Sequence, residues 1–452
     1  MRKTMPPLAI VTILALASLA HAQSDAFDRI KSAYAPYLND ADPLSLPIKI
    51  KSLSSDEYKF WRGSKDLFFQ WGKQNCQDWL KDAKAFLPNH GDLHLGNIGS
   101  YVSEDGLNTL AFGMVDFDDS ARLPFEFELL QGVITLDLIA RQNKIDLSAD
   151  QRAQLDQKLF DTYKLAVNSR RNATETLKAD PTVAKLLSKA GKKPYADELA
   201  KYTQDGKFRR LVKKKDKLTD ILDPVDSSRF DAFAQAILDA AKHDERLAKL
   251  MPDTDLKQLR KKIKDVVRRT RVDSSGSQGL FKYLVLLEKP FSGVDHDVIL
   301  YLKQEIPTAA ERSGIVPLDP RSPGERCAAD MDKMTDPRAF ICSWAELAGK
   351  SYWVSFKEPW SDEIAFDDVK NLDQLTQMAV IWGNVVGATH RDEGRFEIIL
   401  PRLTPAVQTQ IRDRAAAYLT YQQAAFTSFT QSPQTAQFIA TVAEAIRRIE
   451  SN

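Results

Sequence analysis

The feature that most constrains the fold of this chain is a short polar segment, HGDLHLGN at residues 90–97, followed by VDFDD at residues 115–119. Asp92 and Asn97 lie five residues apart, and Asp116 follows 24 residues after Asp92. A carboxylate and an amide, followed by further carboxylates, can hold the metal ions of a nucleotide beside a phosphoryl acceptor. The fold must therefore bring the two segments to one point.

This spacing resembles the catalytic loop and the metal-binding Asp of protein kinases, and the form HGDLH is more similar to aminoglycoside and choline phosphotransferases. The resemblance implies that Asp92 orients an acceptor hydroxyl while His90 braces the catalytic loop. It also implies that Asn97, Asp116 and Asp118 bind Mg²⁺ or Mn²⁺ together with ATP or another nucleotide. The acceptor would be a hydroxyl group of an unknown small molecule or protein.

Structural roles for the same residues stay open. Asp92 could cap a turn, and VDFDD could be a strand that ends in an acidic turn. His90, Asp92 and His94 form an HxDxH run, which would be a softer metal site if further ligands completed it; His94 could instead lie beside the acceptor or in the core. His390 ends a predicted helix, where positive charge is favourable. Arg62 could reach a phosphate or form a surface ion pair.

The position of the polar segment in the chain is unusual. His90 follows Gln23 by only 67 residues, fewer than the roughly 70 to 80 that a five-stranded ATP-binding lobe needs from typical strand, helix and loop lengths. The missing elements occur later, because LFKYLVLLE and VILYLKQE, within residues 262–305, are predicted as two strands around a turn. We therefore predict a kinase-like fold whose segments are circularly permuted.

A loop rich in serine and glycine precedes these strands and suits a phosphate clamp. Its candidate cofactor-binding residues, which let the backbone approach an anion and offer N–H donors, are Ser275, Gly276, Ser277 and Gly279. Lys303 on the second strand could pair with the α and β phosphates. An ordinary hairpin turn is the alternative. Glu305 shares a strand face with Lys303, either as its partner or as a solvated charge.

A helix is predicted over residues 375–394, which are apolar at helical spacing and resemble the helix that precedes the catalytic loop in phosphotransferases. The predicted fold class is α+β: a two-lobed, circularly permuted protein kinase-like fold with a small antiparallel sheet lobe and a larger, mainly helical lobe. The expected regions are a signal peptide at 1–22, the catalytic-loop part of the helical lobe at 23–150, a helical and basic accessory segment at 151–265, a β region like a nucleotide lobe at 266–365, and the C-terminal part of the helical lobe at 366–452.

Further blocks resemble one bacterial family in the same order. They are FWRGS at 60–64, HGDLHLGNIGSY at 90–101, VDFDDSARLPFEFEL at 115–129, SGSQGLFKYLVLLE at 275–288 and YLKQE at 301–305. The family is the domain-of-unknown-function family 2252 (DUF2252), and the resemblance spans most of the chain. It implies no particular substrate.

The N-terminal sequence predicts export. Arg2 and Lys3 precede an apolar run at residues 8–19, and the small residues Ala20 and Ala22 follow as in a signal-peptide cleavage site. The run is too short for a membrane anchor, which needs about 20 apolar residues, and no later segment predicts a membrane span. The protein is therefore expected in the periplasm or outside the cell.

Composition indicates a globular protein. The chain has 63 basic and 62 acidic residues and a hydrophobic content of 43%, and this near-neutral balance gives no argument for a nucleic-acid partner. Cys327 and Cys342 could form a disulfide across a 14-residue loop or stay free, while Cys76 would be buried and free. The basic run at residues 207–217 is predicted as a hairpin or solvated face, with an anionic-surface contact as the alternative. Residues 257–271 are predicted as an amphipathic surface helix.

Two functions fit these observations. The first is an exported phosphotransferase, or a nucleotidyl transferase that uses the same nucleotide in another orientation. The second is a non-catalytic exported binding protein that retains a metal or ligand site on a kinase-like fold. The residue pattern favours the first, whereas the compartment, in which little ATP is expected, favours the second.

Overall fold

The computed structural model describes residues 26–38, 43–106, 109–252, 254–272, 277, 279–290, 295–392 and 396–451. The predicted signal peptide, Ser275 and Gly276 lie outside these residues. The helices are α1 Ala26–Tyr34, α2 Ser45–Leu53, α3 Glu57–Gly63, α4 Lys65–Asn75, α5 Glu126–Gln142, α6 Ala149–Val167, α7 Ala173–Leu177, α8 Pro181–Gly191, α9 Tyr195–Tyr202, α10 Phe230–His243, α11 Glu245–Leu250, α12 Leu256–Lys262, α13 Ala309–Arg312, α14 Pro323–Met334, α15 Leu372–Asp392, α16 Phe396–Arg402, α17 Pro405–Gln431 and α18 Pro433–Ser451. The strands are β1 Phe86–Asn89, β2 Ile98–Val102, β3 Leu110–Met114, β4 Ala121–Pro124, β5 Thr203–Gln204, β6 Lys207–Phe208, β7 Leu211–Lys214, β8 Lys217–Pro224, β9 Ile263–Arg271, β10 Lys282–Leu287, β11 Val298–Gln304, β12 Ser343–Leu347 and β13 Lys350–Phe356.

A seven-stranded antiparallel sheet runs in the order β12-β13-β11-β10-β9-β8-β7. Strand β10 lies at its centre, and every residue of its sequence KYLVLL is buried. Because strand side chains alternate between faces, Tyr283 and Val285 join the apolar cluster that contains α10, whereas Leu284 and Leu286 pack on the opposite face. The predicted strands on either side of the turn are thereby confirmed as β10 and β11.

The predicted surface helix over residues 257–271 is wrong for its second half. Helix α12 ends at Lys262, and the chain continues as strand β9 between β8 and β10. Ile263, Val266 and Val267 are buried there, and such β-branched side chains fit a pleated sheet better than a helix surface. The predicted hairpin of the basic run is confirmed, because β7 and β8 pair around Lys215 and Asp216.

The helical part of the molecule is organised around α5, whose residues are buried from Glu126 to Ala140. The predicted helix over 375–394 is confirmed as α15, which packs closely along α6. Glycines make this approach possible: a Cβ at Gly387 would lie 2.5 Å from the Cβ of Ala166, and one at Gly383 would lie 2.8 Å from the Leu159 carbonyl oxygen. Helix α15 is thus held against α6 by backbone contact.

The first and last helices of the described chain pack together. Phe27 of α1 lies with its ring centroid 6.2 Å from that of Phe429 in α17 and 5.7 Å from that of Phe438 in α18. Ala26 and Ile30 belong to the same buried cluster. The α+β class predicted from the sequence is confirmed. No helix in the described part of the chain has the length and apolar character needed to cross a membrane.

Two short strand pairs set the positions of the polar segments. Strand β1 enters the 90–97 segment and pairs with β4, so that Asn89 lies opposite Ala121. Strand β2 leaves the same segment and pairs with β3, so that Ile98 lies opposite Met114. Both polar segments are therefore flanked by the same two hairpin-like pairs, which bring them side by side.

Candidate functional site

Left-handed backbone conformations shape both polar segments. Gly91 has φ +78°, and a Cβ at this position would overlap the backbone oxygen of Asp119. Asp116 has φ +68° without being a glycine, a conformation that costs on the order of 1–3 kcal/mol and is concentrated at functional sites. Because residue 91 is a glycine, the two segments can come into contact. The left-handed backbone of Asp116 sets the direction of its own carboxylate.

Hydrogen bonds fix the two segments to each other. The Asn97 amide Nδ2 donates to the Asp92 carbonyl oxygen at 2.9 Å, which closes the first segment into a loop. The Val115 N–H donates to the Asn97 carbonyl oxygen at 3.0 Å. His90 Nε2 lies 2.8 Å from the Val115 carbonyl oxygen, and its complete burial lowers the pKa of the imidazole. A neutral His90 therefore braces the loops.

A buried polar chain connects this brace to the helices. The backbone N–H of His90 donates a hydrogen bond to the Glu128 carboxylate in α5. The other Glu128 oxygen lies 2.9 Å from His390 Nε2 at the end of α15, and His390 Nδ1 lies 2.8 Å from the Tyr163 hydroxyl in α6. All of these side chains are fully buried. His390 thus positions the loop from behind and does not face the cleft.

Lys303 joins the sheet to the second polar segment. Its ammonium group lies 2.5 Å from an Asp116 carboxylate oxygen and also contacts the Asp118 carboxylate. Burial opposes the charge of Lys303, but the two carboxylates raise the pKa of its ammonium group well above its usual value. Burial and the neighbouring Asp116 charge raise the pKa of Asp118 to about 7. Against the opposing effect of burial, Lys303 lowers the pKa of Asp116. Asp116 is therefore the anionic partner of the pair.

Asp92 is held by a lysine that the sequence analysis did not single out. Lys65 Nζ lies 3.3 Å from an Asp92 oxygen and 3.1 Å from the centre of the Trp61 ring. Burial raises the pKa of Asp92 to about 7 against the opposing charge of Lys65. Burial also lowers the pKa of Lys65 to about 8. Asp92 is thus a carboxylate poised near neutral pH, as a general base requires.

The histidines of the HxDxH run do not converge on a metal. Arg62 Nε donates to His94 Nε2 at 3.1 Å, and burial and the Arg62 charge lower the pKa of His94 well below its usual value. His90 turns its Nε2 towards Val115, as described above. Among the described residues, the grouping of three His, Cys, Asp or Glu side chains close enough for a shared ion does not include either histidine. Arg62 lines the cleft, which is the position it needs for the first of its two predicted roles, contact with a phosphate.

A narrow cleft collects the functional side chains. Its lining includes the catalytic candidate Asp92, the metal candidates Asp116 and Asp118, and the loop residue Ser277. The remaining lining residues are Tyr34, Arg62, Lys65, Asp119, Leu280, Glu305, Ile306 and Arg312. Gly279 has φ +100° and lies against Leu38 beside this loop. The cleft therefore has acidic groups at its centre, cations from α3, α4 and α13 on one side, and the serine loop on another.

The donor set suits a hard divalent cation. The Asp116 side chain is 51% exposed and faces the cleft, whereas Lys303, its partner, is 5% exposed. The Asn97 amide uses its nitrogen to hold the loop, and Asn97 is not among the residues that line the cleft. Carboxylate and amide oxygens are the ligands that Mg²⁺ or Mn²⁺ takes. Asp116 and Asp118 would hold such an ion, which would replace Lys303 as the counter-charge of a carboxylate.

Further residues at the site escaped the sequence analysis. Asp119 accepts a hydrogen bond from the Ala309 N–H at 2.6 Å and so ties the second segment to α13. Arg312 pairs with Asp66 at 2.8 Å in a buried ion pair between α13 and α4. The sequence feature that could have identified Lys65 as a site residue is its position directly after FWRGS, where a lysine lies on the apolar face of a helix. No comparable pattern marked Arg312.

The cysteines are free. Cys76, Cys327 and Cys342 are buried thiols, so the Cys327–Cys342 disulfide that the spacing allowed is not present in the structure. Cys342 Sγ donates instead to the Ala328 carbonyl oxygen at 3.1 Å. Burial raises the pKa of Cys342 to about 12.

Comparison with known proteins gives one match. A family described as "Uncharacterized protein conserved in bacteria" matches residues 41–432, which include both polar segments, β10, β11 and α15. No curated protein and no solved structure matches the chain. The comparison therefore establishes kinship over most of the chain and leaves the chemistry to the geometry of the cleft.

Proposed function

The chain belongs to the DUF2252 family, and we propose that it is a metal-dependent phosphotransferase that transfers a phosphoryl group from a nucleotide to a hydroxyl acceptor. The observation that carries the proposal is the contact of Lys303 with Asp116 and Asp118 in a cleft that also contains Asp92. A basic strand residue, two metal-type carboxylates and a candidate base come from three separated segments. Such convergence is what phosphoryl transfer needs, because it depends chiefly on positioning and charge neutralisation.

Each residue has a role that follows from its surroundings. When bound, a divalent cation neutralises the phosphate oxygens and the charge that develops on them. Asp116 and Asp118 hold that cation. Lys303, once released from one carboxylate, pairs with a phosphate, and the backbone around Ser277 and Gly279 offers N–H groups. Asp92 accepts the proton of the acceptor hydroxyl as the hydroxyl oxygen bonds to the terminal phosphorus, and the bond from that phosphorus to its bridging oxygen breaks so that the nucleoside diphosphate leaves with the electron pair.

We further propose that the segments form a circularly permuted kinase-like arrangement. The support is that a strand lysine 187 residues after Asp116 in the sequence contacts it directly, and that α15, near the C-terminal end, braces the 90–97 loop through His390 and Glu128. Read from β9 to α18 and then from α1 to α5, the order is serine loop, lysine strand, bracing helix, catalytic loop and metal carboxylates. Export to the periplasm or beyond is part of the same proposal and rests on the N-terminal sequence.

Nucleotide binding is tested by thermal unfolding with and without Mg²⁺ and ATP. At a ligand concentration about 100-fold above Kd, binding stabilises the folded state by ~2.7 kcal/mol. We expect this shift in the wild type and its loss in Asp116→Asn. The matched control is Asp216→Asn, because Asp216 has φ +64° in an exposed hairpin turn and asparagine tolerates the left-handed region equally at both positions.

Turnover is tested by mass spectrometry after incubation with ATP and Mg²⁺ or Mn²⁺, which detects nucleotide hydrolysis or modification of the protein itself. We expect Asp92→Asn to keep the thermal shift and to lose turnover at least 100-fold, the contribution of a positioned general base. Transfer of a nucleotidyl group in place of a phosphoryl group would show that the protein is a nucleotidyl transferase. Absence of both the thermal shift and turnover in the wild type would reject the phosphotransferase in favour of a non-catalytic binding protein.

A further inference from the structure

A second cluster of potential ligands lies behind the cleft. Asp118 belongs to the second polar segment, Glu305 follows β11, and Cys327 lies in α14. One oxygen of each carboxylate and the Cys327 sulfur all lie within 4.8 Å of one another. Glu305 is 4% exposed and Cys327 1% exposed, while Asp118 and Glu305 both reach the cleft. Three separate elements thus meet at one point.

Glu305, a member of this cluster, has an unpartnered carboxylate oxygen. Glu305 Oε1 is buried and has no hydrogen-bond partner among the described residues. A buried acceptor without a partner is destabilising, and such groups call for a ligand that the protein atoms do not supply. Glu305 shares a strand face with Lys303, but the Lys303 ammonium contacts Asp116 and Asp118. The Glu305 carboxylate is left directed at Asp118 and the sulfur.

We infer that Asp118, Glu305 and Cys327 form a binding site for a divalent cation of borderline softness, of which Zn²⁺ is the type. The sulfur decides the class, because thiolate ligands select Zn²⁺ over Mg²⁺, which takes oxygen. Zn²⁺ bonds of about 2.3 Å to sulfur and about 2.0–2.2 Å to oxygen place the ligand atoms some 3.5 Å apart, so small side-chain rotations close the site. Three protein ligands leave a fourth position for water or substrate, as in catalytic zinc sites.

The surrounding charges favour a divalent ion. Asp116, Asp118, Glu305 and a Cys327 thiolate would bring four negative charges. Lys303 supplies one positive charge and Arg326 another, the latter through hydrogen bonds to the backbone oxygens of Asp118 at 2.6 Å and Ser120 at 2.8 Å. A divalent cation brings the sum to neutrality. The Arg326 bonds also fix the Asp118 segment, as partners of metal ligands commonly do.

The site shares Asp118 with the proposed nucleotide-cation site, but it needs no nucleotide in order to bind its own cation. Both Asp118 oxygens contact the Lys303 ammonium group, so a cation in this cluster would replace Lys303 at one of them. The competing structural explanation is a protonated Glu305 that shares its proton with Asp118 and needs no metal. The two explanations differ in whether the purified protein takes up one equivalent of a thiophilic cation without a nucleotide.

The experiment titrates Zn²⁺ into the metal-free full chain without nucleotide or Mg²⁺, using calorimetry for stoichiometry. Co²⁺ is then titrated as a probe whose charge-transfer absorption reports a thiolate ligand. We expect one equivalent in the wild type and at least a tenfold loss of affinity in Glu305→Gln and in Cys327→Ser, with loss of the absorption band in the latter. The matched control, Cys76→Ser, removes a buried thiol outside the cluster and keeps both signals.

A measurement on the wild type alone covers variants that fail to fold. X-ray absorption of the Zn²⁺-loaded protein should show one sulfur at about 2.3 Å with oxygen ligands around it. Coordination by oxygen and nitrogen only, or no stoichiometric uptake, would overturn the inference. Failure of the nucleotide experiments with Asp116→Asn would leave this result untouched, because Asp116 is not one of the three proposed ligands.

Discussion

At the scale of single residues, the site is built from carboxylates whose neighbours assign them different protonation. Lys303 keeps Asp116 anionic. Burial raises the pKa of Asp92 to about 7, and the charge of Lys65 partly opposes this rise. Two acids in one cleft with separated pKa values are the arrangement expected when one binds a cation and the other accepts a proton.

The Asp92 pair predicts a pH dependence. Turnover needs ionised Asp92, so activity should rise with pH through about 7 and fall on the acidic side. Replacing Lys65 with Met removes the cation that favours ionisation, so the acidic limb should move to higher pH. The pH profile of kcat/KM measures this, with Lys158→Met on an exposed part of α6 as control. An acidic limb that stays in place in Lys65→Met would show that Lys65 does not act through Asp92.

Gly91 allows a second test at this scale. In Gly91→Ala the side chain meets both a left-handed φ, costing roughly 1–2 kcal/mol, and overlap with the Asp119 backbone, costing about 1–3 kcal/mol more. Gly349 has a similar φ of +71° with no atom within 4 Å of its potential Cβ, so Gly349→Ala should show the first cost alone. Chemical denaturation compares the two. Equal losses of unfolding free energy would contradict the close contact between the polar segments.

At the scale of elements, the strands around Lys303 and helix α15 could be predicted because their apolar spacing is regular. Strand β9 was misassigned since KQLRKKIKDVVRRTR also fits helical spacing, and only its pairing with β8 and β10 distinguishes the two. The local spacing led to the prediction that Asp92, Asp116 and Asp118 lie close together, and these three residues line one cleft. Lys65 and Arg312 were not predicted, because their partners Asp92 and Asp66 lie 27 and 246 residues away. The position of Lys65 directly after FWRGS marks a lysine on an apolar helix face but not its partner, and no local pattern marks Arg312.

The packing of α15 on α6 gives a prediction for an element. Gly387→Ala puts a methyl group 2.5 Å from Ala166 Cβ and 2.7 Å from the Tyr163 carbonyl oxygen, so the helices must separate. We expect a loss of about 1–3 kcal/mol. Gly191→Ala, where the new Cβ would lie 3.6 Å from Leu110, should be neutral or gain up to about 1 kcal/mol. Thermal unfolding measures both, and a neutral Gly387→Ala would contradict the backbone contact.

At the scale of the whole molecule, the segments that form the cleft are far apart in sequence, and the first and last helices of the described chain pack together. A chain opened in the exposed segment before α12, with residue 451 joined to residue 26 by a flexible linker of about 15 residues, should fold cooperatively. Circular permutation is tolerated at exposed connections and not within buried elements. A chain opened inside the buried helix α5 is the control. Unfolding is followed by circular dichroism. If the first variant does not unfold cooperatively, the proposal that the segments can be joined in the other order is contradicted.

The position of Lys303 between Asp116 and Asp118 affects which free cations can bind these two carboxylates. Its ammonium group is a tethered monovalent ion, present at a fixed and high local concentration between the two carboxylates that a free cation would need. Every incoming ion competes with it, so a singly charged ion gains nothing by the exchange and a doubly charged one does. Under the proposed function, Lys303 would therefore favour divalent over monovalent ions, and it would set the concentration above which a divalent ion displaces it from the two carboxylates.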